Sequence, residues 1–412
     1  MSGTSLAGAD FWSRHGLRDL LAVLNGGGEE ARVVGGAVRN TLLGRPVTDV
    51  DIATTALPQV VSERVRGAGM KPVPTGIDHG TVTVVVDHEA YEVTTLREDM
   101  ETDGRRAVVR FGRSWAHDAA RRDFTINALY ASPDGMVVDL VGGLADLAAR
   151  RVRFIGDAEN RIREDYLRIL RLFRFHAAYG EGPVDVLALH AAIRCREGLR
   201  GLSHERVRAE LLKLLLAPGA AHTLHVMSDC GLVQPLLAGL ADVGAFSRLV
   251  AREADFGVAP DAIRRLAALA LRVADDVPRL REKLRLSNVE MQRLSAMASS
   301  RPALPAQGAA LQAQRAFVYR AGAEAALDRA LLAAARGRAD MAPLVALATS
   351  WAPPRLPVAA ADLLAGGLKP GPGLGRALAY AENAWVDADF PGGNEARDAL
   401  IQAALGTEGV GG

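Results

Sequence analysis

Cysteine, lysine and long apolar runs are scarce in this chain of 412 residues. Cys195 and Cys230 are its two cysteines, which excludes a disulfide framework and a cysteine-based metal site, so both are predicted to be buried free thiols. No stretch approaches the roughly eighteen apolar residues that a membrane-spanning helix requires. The first residues lack the charged and then apolar pattern of a secretory signal. We therefore expect a cytoplasmic protein with no membrane span.

Lysine accounts for only four of the 49 basic residues. A general preference for arginine over lysine therefore explains the abundance of arginine as well as any site does, and each arginine must be judged by its position. The net charge of +1 argues neither for nor against nucleic-acid binding, which depends on how charge is distributed. Residues 150–174 hold eight arginines against four acidic residues and form a candidate anion-binding surface. The length predicts about two to four domains.

A strand, a glycine turn and a helix are predicted from residue 31 onward. Ala31–Val34 should be a short buried strand, and the glycines Gly35 and Gly36 can bring backbone N–H groups close to a phosphate. A helix with Arg39 in its first turn should follow and end at Gly44, a residue suited to a left-handed cap. This unit predicts a phosphate-binding turn.

The next predicted strand carries two aspartates on one face. Asp49 and Asp51 alternate with apolar residues, so both carboxylates point the same way. Paired carboxylates suit hard divalent cations that also bind substrate phosphates. An exposed edge strand is the alternative, because a bare Asp-x-Asp is common, but the glycine turn and Arg39 just upstream favour chemistry. Glu92 is the natural third carboxylate if its own predicted strand lies beside this one.

Two further segments are predicted between Glu92 and the helical half of the chain. Residues 97–117 are polar and contain glycine, and a loop of this length inside a domain is either functional or disordered. We predict a mobile flap over the site. Residues 116–130 are predicted to be one helix, with Arg122 on the side opposite its apolar positions and therefore available to a substrate. After Asp157 the hydrophobic pattern is helical throughout.

Charged residues recur every three positions in the first long helix of that half. Asp165, Arg168, Arg171 and Arg174 form a polar ridge, which is either an ordinary solvated face or a row of arginines that repel one another unless an anion is bound. A carboxylate beside an arginine complements a base edge with an amine next to an unprotonated ring nitrogen, as in cytosine and adenine. Asp165 and Arg168 are thus predicted to accept C or A and reject U and G. Most basic residues farther along, such as Arg264, are interpreted as solvated.

These motifs resemble those of the bacterial class II branch of the nucleotidyltransferase superfamily, which contains the tRNA nucleotidyltransferases, or CCA-adding enzymes, and the bacterial poly(A) polymerases. The resemblance covers about residues 31–175, and similarity to the family's neck and body helices continues through residues 204–211 before fading. The matching motifs, in the family's order, are Gly35-Gly36-Ala37-Val38-Arg39 with Leu42-Leu43-Gly44 and Asp49-Val50-Asp51, then Arg121-Arg122-Asp123-Phe124-Thr125-Ile126-Asn127-Ala128, then Asp139-Leu140 with Gly142-Gly143, and then Glu164-Asp165 with Arg168 and Arg171.

The resemblance implies a two-part architecture. An α/β N-terminal nucleotidyltransferase head, with a small mixed sheet and helices, would be followed by an all-α neck, body and tail. We expect an N-terminal helix in residues 1–30, the head in residues 31–155 and a helical neck with the base-reading helix in residues 156–215. A helical body and tail that bind tRNA would occupy residues 216–412.

The resemblance also implies a metal site. Asp49 and Asp51 would bind catalytic magnesium ions (Mg²⁺), with Glu92 as the third acidic residue. Two such ions about 4 Å apart activate an attacking hydroxyl and stabilise the pyrophosphate leaving group in an in-line displacement. The loop at residues 97–117 would be the flexible element that helps the enzyme switch from C to A addition, and its presence argues against a CC-only enzyme.

The remaining implied roles concern the nucleotide. The triphosphate would be held by Gly36, Arg39 and Arg122, and Asp123 would contact the ribose. The base of the incoming CTP or ATP would be read by Asp165 and Arg168, with Arg171 and Arg174 supporting the base and phosphates.

The predicted reaction is template-independent transfer of CMP and AMP to the 3′ end of tRNA, which builds the CCA terminus and releases pyrophosphate. The helical half would hold the tRNA acceptor arm by shape and phosphate contacts, and no obligatory protein partner is expected. One alternative is a bacterial poly(A) polymerase, which shares every motif and differs in how product growth is limited. A second is a non-catalytic RNA-binding relative with a decayed head, against which the intact carboxylates and arginines weigh.

Overall fold

A computed structural model describes residues 4–99 and 109–408. The chain divides into two units. The first contains the described residues up to Thr223 together with Asp229–Leu232, and the second contains Leu224–Ser228 and the described residues from Val233 onward. Within those described ranges, no helix is both long enough and apolar enough to span a membrane. The predicted division into four parts is finer and stays a prediction.

The first unit is built on a mixed sheet. Its strands are β1 (Ala31–Val34), β2 (Asp51–Thr54), β3 (Lys71–Gly76), β4 (Thr81–Val86), β5 (Glu89–Thr95), β6 (Arg97–Asp99), β7 (Val109–Phe111), β8 (Leu129–Ala131) and β9 (Val137–Asp139). Seven of them form one sheet in the order β3-β4-β5-β2-β1-β8-β9, and β6 pairs with β7. The β2–β5 pair is parallel, and the other neighbours in the large sheet are antiparallel. The predicted α/β class of the head is confirmed.

Helices lie between these strands in the sequence and continue the first unit. They are α1 (Leu17–Leu24), α2 (Gly36–Leu42), α3 (Pro58–Gly67), α4 (Trp115–Ala120), α5 (Gly143–Ala148), α6 (Ala158–Glu164), α7 (Leu167–Tyr179), α8 (Val186–Arg194) and α9 (His204–Leu216), and α10 (Ala220–Asp229) follows. Several begin at a side-chain cap, because an aspartate or serine oxygen can accept a hydrogen bond from an N–H group of the first turn. The caps of α6, α8 and α9 are Asp157, Asp185 and Ser203.

The predicted helix over residues 116–130 is wrong. α4 ends at Ala120, a short 3-10 turn covers Thr125–Asn127, and β8 then joins the large sheet. Two local contacts explain the break, since Asp123 Oδ1 accepts hydrogen bonds from Phe124 N at 2.8 Å and from Asn127 Nδ2 at 3.0 Å. Such side-chain bonds compete with a helical backbone. Every residue of β8 is fully buried, so the alternation that marks a half-buried strand is missing there.

Three other predictions change in detail. The N-terminal helix is split, with a 3-10 turn at Asp10–Ser13 and α1 after Gly16, whose φ is +67°. The predicted loop at residues 97–117 contains β6 at its start and β7 before α4, while residues 100–108 lie outside the described residues. The sheet has an edge strand, β3, that the pattern did not predict, because prolines 72 and 74 argue against a strand except at an edge.

The second unit is helical, as predicted for the C-terminal half. Its helices are α11 (Gln234–Leu237), α12 (Val243–Asp255), α13 (Ala262–Ala270), α14 (Asp276–Leu284), α15 (Asn288–Ala298), α16 (Leu311–Ala321), α17 (Ala323–Ala335), α18 (Ala342–Ser350), α19 (Ala360–Ala365), α20 (Pro372–Asp387) and α21 (Asn394–Glu408). The interpretation of Arg264 as solvated is wrong, because its buried guanidinium pairs with Glu253 at 2.9 Å and Asp328 at 2.7 Å. Buried charges are tolerated when they are paired in this way.

Candidate active site

Three carboxylates meet where β2 begins. The sheet register places Asp51 opposite Val34 of β1 on one side and opposite Glu92 of β5 on the other. Adjacent strands lie about 4.8 Å apart, so Glu92 is a direct neighbour of Asp51, as predicted. Asp49 precedes β2 instead of lying within it, which corrects the predicted strand. Asp49 and Asp51 are nevertheless exposed while Val50 between them is buried, so the predicted separation of polar and apolar sides holds.

Negative charge accumulates around Asp51. Partial desolvation raises the pKa of the Asp51 carboxyl group, the charges of Glu92 and Asp49 raise it further, and the positive charge of Arg122 opposes the change. None of the three carboxylates forms an ion pair with another part of the described chain. A cation at this position would relieve their mutual repulsion.

The glycine turn places Arg39 near these carboxylates. Gly35 has a φ of +69°, a conformation that glycine adopts without strain, and α2 starts at the next residue. The Arg39 side chain is buried, with the whole residue only 6% exposed. Its guanidinium donates hydrogen bonds to Asn127 Oδ1 and to the hydroxyl of Tyr179, the latter at 2.8 Å. The turn thus carries an arginine whose hydrogen-bond acceptors here are neutral groups.

Arg122 is anchored by a buried aspartate that sequence reasoning missed. Asp118, with no exposed surface, accepts hydrogen bonds from Arg122 Nε at 3.1 Å and from the Tyr130 hydroxyl at 2.8 Å, and it pairs with Arg121 as well. Burial alone would raise the pKa of Asp118, but the charges of Arg122 and Arg121 and the bond from Tyr130 lower it. Arg122 follows α4 and is not on a helix face, yet it is held in one orientation.

Of the two alternatives for the polar ridge, repulsion between unpaired arginines is excluded, because each arginine has a carboxylate partner. Arg171 binds Asp123 Oδ2 through Nε at 2.8 Å, and Arg174 binds Glu210 of α9 at 2.5 Å. Arg168 pairs with Glu164. These partners remove the repulsion that the spacing alone suggests. An anion is therefore not required to explain the row.

Asp165 lies in the break between α6 and α7. Its Oδ1 accepts a hydrogen bond from the N–H of Leu167 at 3.1 Å, and its Oδ2 accepts one from Arg206 Nη2 of α9 at 2.6 Å. The side chain is 31% exposed. Arg168 Nη1 is held by the carbonyl oxygen of Arg161 at 2.8 Å. Both predicted base-reading side chains are thus fixed by neighbouring groups before any ligand binds.

A cleft of about 520 Å³ collects most of the predicted residues. Its predicted lining residues are Gly36, Arg39, Asp51, Arg122, Asp165, Arg168 and Arg171. The lining also contains Gly35 of the predicted phosphate-binding turn and Asp123, which was predicted to contact the ribose. The lining residues without a predicted role are Asn127, Leu167, Phe175 and Arg206. Asp49, Glu92 and Arg174 lie outside this lining, and Arg174 is instead directed at Glu210. Asn127 and Arg206 belong to the motifs noted in the sequence, whereas nothing in the pattern pointed to Phe175.

Comparison with known proteins identifies two matched segments of the chain. The family profile described as Poly A polymerase head domain matches residues 31–153, and the one described as Probable RNA and SrmB- binding site of polymerase A matches residues 188–243. The Mus musculus protein named CCA tRNA nucleotidyltransferase 1, mitochondrial, is 40% identical over 279 residues, which are 67% of this chain and 64% of that protein. Over these matched residues the chain is similar to the tRNA nucleotidyltransferase and poly(A) polymerase family.

Two further proteins extend the comparison. The CCA-adding enzyme of Leuconostoc citreum is 44% identical over 221 residues, which are 53% of each chain. The chain therefore spans about half to two thirds of the length of these curated relatives. The crystal structure of the Bacillus stearothermophilus CCA-adding enzyme in complex with CTP is similar over 96% of this chain and 98% of that one, with a TM-score of 0.73 and 29% identity. Its likeness thus includes the helical unit, which the two family profiles mostly leave out.

Proposed function

We propose that this chain is a tRNA nucleotidyltransferase that adds CMP and AMP to the 3′ end of tRNA from CTP and ATP without a template. The observation that carries the proposal is one cleft that brings together Asp51, Arg39, Arg122 and the Asp165/Arg168 pair. Together these groups provide a carboxylate, two arginines for a triphosphate and two side chains for a base edge. The names of the mouse and Leuconostoc relatives state the same activity for those proteins.

Mg²⁺ is the proposed cofactor, held by Asp49 and Asp51 with Glu92 beside them. The fit rests on the carboxylates themselves, because burial and the charges of Glu92 and Asp49 raise the pKa of Asp51 more than the charge of Arg122 lowers it. Within residues 4–99 and 109–408, no three His, Cys, Asp or Glu side chains are grouped to hold a metal alone. Mg²⁺ binds through one or two carboxylates together with substrate phosphates and water. When bound, it would lower the pKa of the attacking hydroxyl and neutralise charge on the leaving group.

The side chains of the cleft perform the rest of the proposed reaction. Arg39 and Arg122 hold the triphosphate, so that the α-phosphorus is aligned with the terminal ribose hydroxyl of the tRNA. The bond from O3′ to the α-phosphorus forms as the bond to the bridging oxygen breaks, and pyrophosphate leaves with the electron pair. Arginine suits this task because its planar fork binds phosphate through two parallel hydrogen bonds.

Base selection is assigned to the far end of the same cleft. The Asp165 carboxylate accepts a hydrogen bond from the exocyclic amine of cytosine or adenine, and Arg168 donates one to the adjacent ring nitrogen. Along α7, Arg168 and Phe175 are seven residues apart, about 10 Å at 1.5 Å per residue, and both line the cleft. That length suits a nucleotide lying along the helix with its base at Asp165 and its phosphates near Arg39.

The tRNA and the cellular location complete the proposal. The helical part of the chain would hold the acceptor arm through shape and phosphate contacts. The relatives' names identify tRNA as the substrate of the mouse enzyme. A cytoplasmic location is supported by Cys195 and Cys230, which are both free, since disulfides are rare in that compartment.

An extension assay tests the proposed function. A tRNA transcript that lacks its CCA end is incubated with the protein, Mg²⁺, CTP and ATP, and the product is resolved by length. A product that stops three nucleotides longer is expected, with cytidine incorporated before adenosine. Long A-tails with little cytidine would identify a poly(A) polymerase instead, and binding of tRNA without extension would identify a non-catalytic relative.

The buried aspartate that anchors Arg122 gives a separate prediction. Asp118→Asn should weaken the binding of CTP and ATP and lower the free energy of unfolding by about 2 kcal/mol, the scale of hydrogen bonds to charged groups. The loss should stay below that of a fully buried ion pair because Arg121 and Arg122 are each about one fifth exposed. Thermal unfolding and equilibrium nucleotide binding would measure both effects. Asp19→Asn, a change at an exposed aspartate, should alter neither the free energy of unfolding nor the affinity for nucleotides. An unchanged nucleotide affinity in Asp118→Asn would contradict the anchoring role.

A further inference from the structure

Arg39 differs from every other arginine that lines the cleft. Arg122, Arg168, Arg171 and Arg206 each pair with a carboxylate, and their partners are Asp118, Glu164, Asp123 and Asp165. Within the described chain, Arg39 has no acidic partner and is bonded to Asn127, Asn40 and Tyr179. Its positive charge is therefore the least neutralised in the cleft. A group that must attract phosphate gains from such an environment.

Burying an arginine without a carboxylate is costly unless other groups stabilise its charge. Tyr179 supplies two such contacts, because its ring centroid lies 4.1 Å from Arg39 Cζ and its hydroxyl accepts a hydrogen bond from Arg39 Nη2 at 2.8 Å. A cation close to an aromatic ring is stabilised by the electrons of the ring face. Burial lowers the pKa of Arg39, and the contact with Tyr179 is the largest effect opposing that change. The tyrosine thus stabilises the cation without cancelling its charge.

Tyr179 is itself held in place on both sides. It is the last residue of α7 and stacks on Phe175, with ring centroids 5.7 Å apart. Arg45 lies 4.9 Å from the Tyr179 ring and donates a hydrogen bond to the carbonyl oxygen of Ala178 at 2.6 Å. Cations are favoured near the carboxyl end of a helix, where unpaired carbonyl groups gather. The end of α7 therefore forms the surface on which the Arg39 guanidinium packs.

We infer that Tyr179 is a positioning residue for the nucleotide triphosphate, acting through Arg39. Tyr179 does not line the cleft, whereas Arg39 and Phe175 do. It therefore contributes to the binding of CTP and ATP alike and does not take part in the choice between them. Helix α7 thus carries Arg168 near its first turn and positions Arg39 at its other end. This role rests on the proposed nucleotidyltransferase function.

Equilibrium binding of CTP and of ATP in the presence of Mg²⁺, without RNA, tests this role. Tyr179→Leu should weaken the binding of CTP and of ATP by the same factor, about tenfold. Tyr179→Phe keeps the ring and loses the hydroxyl, so it should weaken the binding of both nucleotides about threefold. In extension assays the loss should lie in KM for both nucleotides, with kcat changed less than twofold. Tyr380→Leu, a change at an exposed tyrosine of the second unit, is the matched control and should bind as the parent does.

A double variant separates this role from a general loss of structure. If Tyr179 acts through Arg39, then Tyr179→Leu added to Arg39→Gln should cost no further affinity. An additional loss in the double variant, or unchanged affinity in Tyr179→Leu, would overturn the inference. If Tyr179→Leu does not fold, Tyr179→Phe decides the question, since unchanged affinity in that variant overturns the role as well. Failure of the unaltered protein to bind either nucleotide would instead contradict the proposed function.

Discussion

Replacing Asp51 with asparagine should reduce the rate of nucleotide transfer about a thousandfold while leaving tRNA binding nearly unchanged. The carboxylate is proposed to hold Mg²⁺, whose charge stabilisation in the transition state is worth several kcal/mol, and about 4 kcal/mol corresponds to this factor. Asparagine keeps the size of the side chain and removes its charge. Single-turnover extension of a tRNA lacking CCA would measure the rate, and a gel-shift titration would measure tRNA affinity.

Asp87→Asn is the matched control for this experiment. Asp87 is an exposed aspartate in the turn between β4 and β5, so it belongs to the same sheet but lies away from the cleft. Its φ of +46° is tolerated by asparagine as well as by aspartate. The transfer rate of this variant should equal that of the parent. The transfer rate of Glu92→Gln should lie between the rates of Asp51→Asn and Asp87→Asn. A normal rate in Asp51→Asn would refute the assignment of the metal site.

Period-two alternation predicted that Asp49 and Asp51 lie on one side of the chain and Val50 on the other. Asp49 and Asp51 flank the buried Val50, and the strands carrying Asp51 and Glu92 were both visible as alternating segments. Their parallel pairing could not be derived from the pattern, because nothing local specifies which strand is the neighbour. The resemblance of motifs supplied that placement, and the sheet register agrees with it.

Several of the failures have one physical cause, which is that partners distant in sequence are invisible in a local pattern. Leu129–Ala131 is buried on both sides and so lacks alternation. The arginine ridge was misread because the partner of Arg171 is 48 residues away and the partner of Arg174 is 36 residues away. Tyr179 belongs to none of the motifs recognised, and only packing reveals that Arg39 rests on it. Motifs identified the groups that are proposed to contact substrate, whereas the groups that hold these side chains in place became visible only in the fold.

The neighbours that hold the proposed base-reading pair would sharpen its specificity. Asp165 is fixed by the Leu167 N–H and by Arg206, and Arg168 is fixed by Glu164 and the carbonyl oxygen of Arg161. A side chain that cannot rotate presents one pattern of donors and acceptors to the base. A nucleotide that has a carbonyl group in place of the exocyclic amine would bring this carbonyl against the Asp165 carboxylate. Both groups are hydrogen-bond acceptors, and a buried acceptor without a donor costs free energy.

Asp165→Asn should therefore lower the preference for CTP over UTP by about tenfold to a hundredfold, because one well-placed base contact is worth about 1–3 kcal/mol of discrimination. The asparagine amide can donate to the carbonyl of uracil, so the loss should come partly from faster UTP incorporation. Competition between the two nucleotides on a tRNA lacking CCA would measure the ratio. Asp157→Asn is the matched control, since Asp157 caps α6 and asparagine caps a helix equally well. Discrimination retained in full by Asp165→Asn would mean that the base is read elsewhere in the cleft.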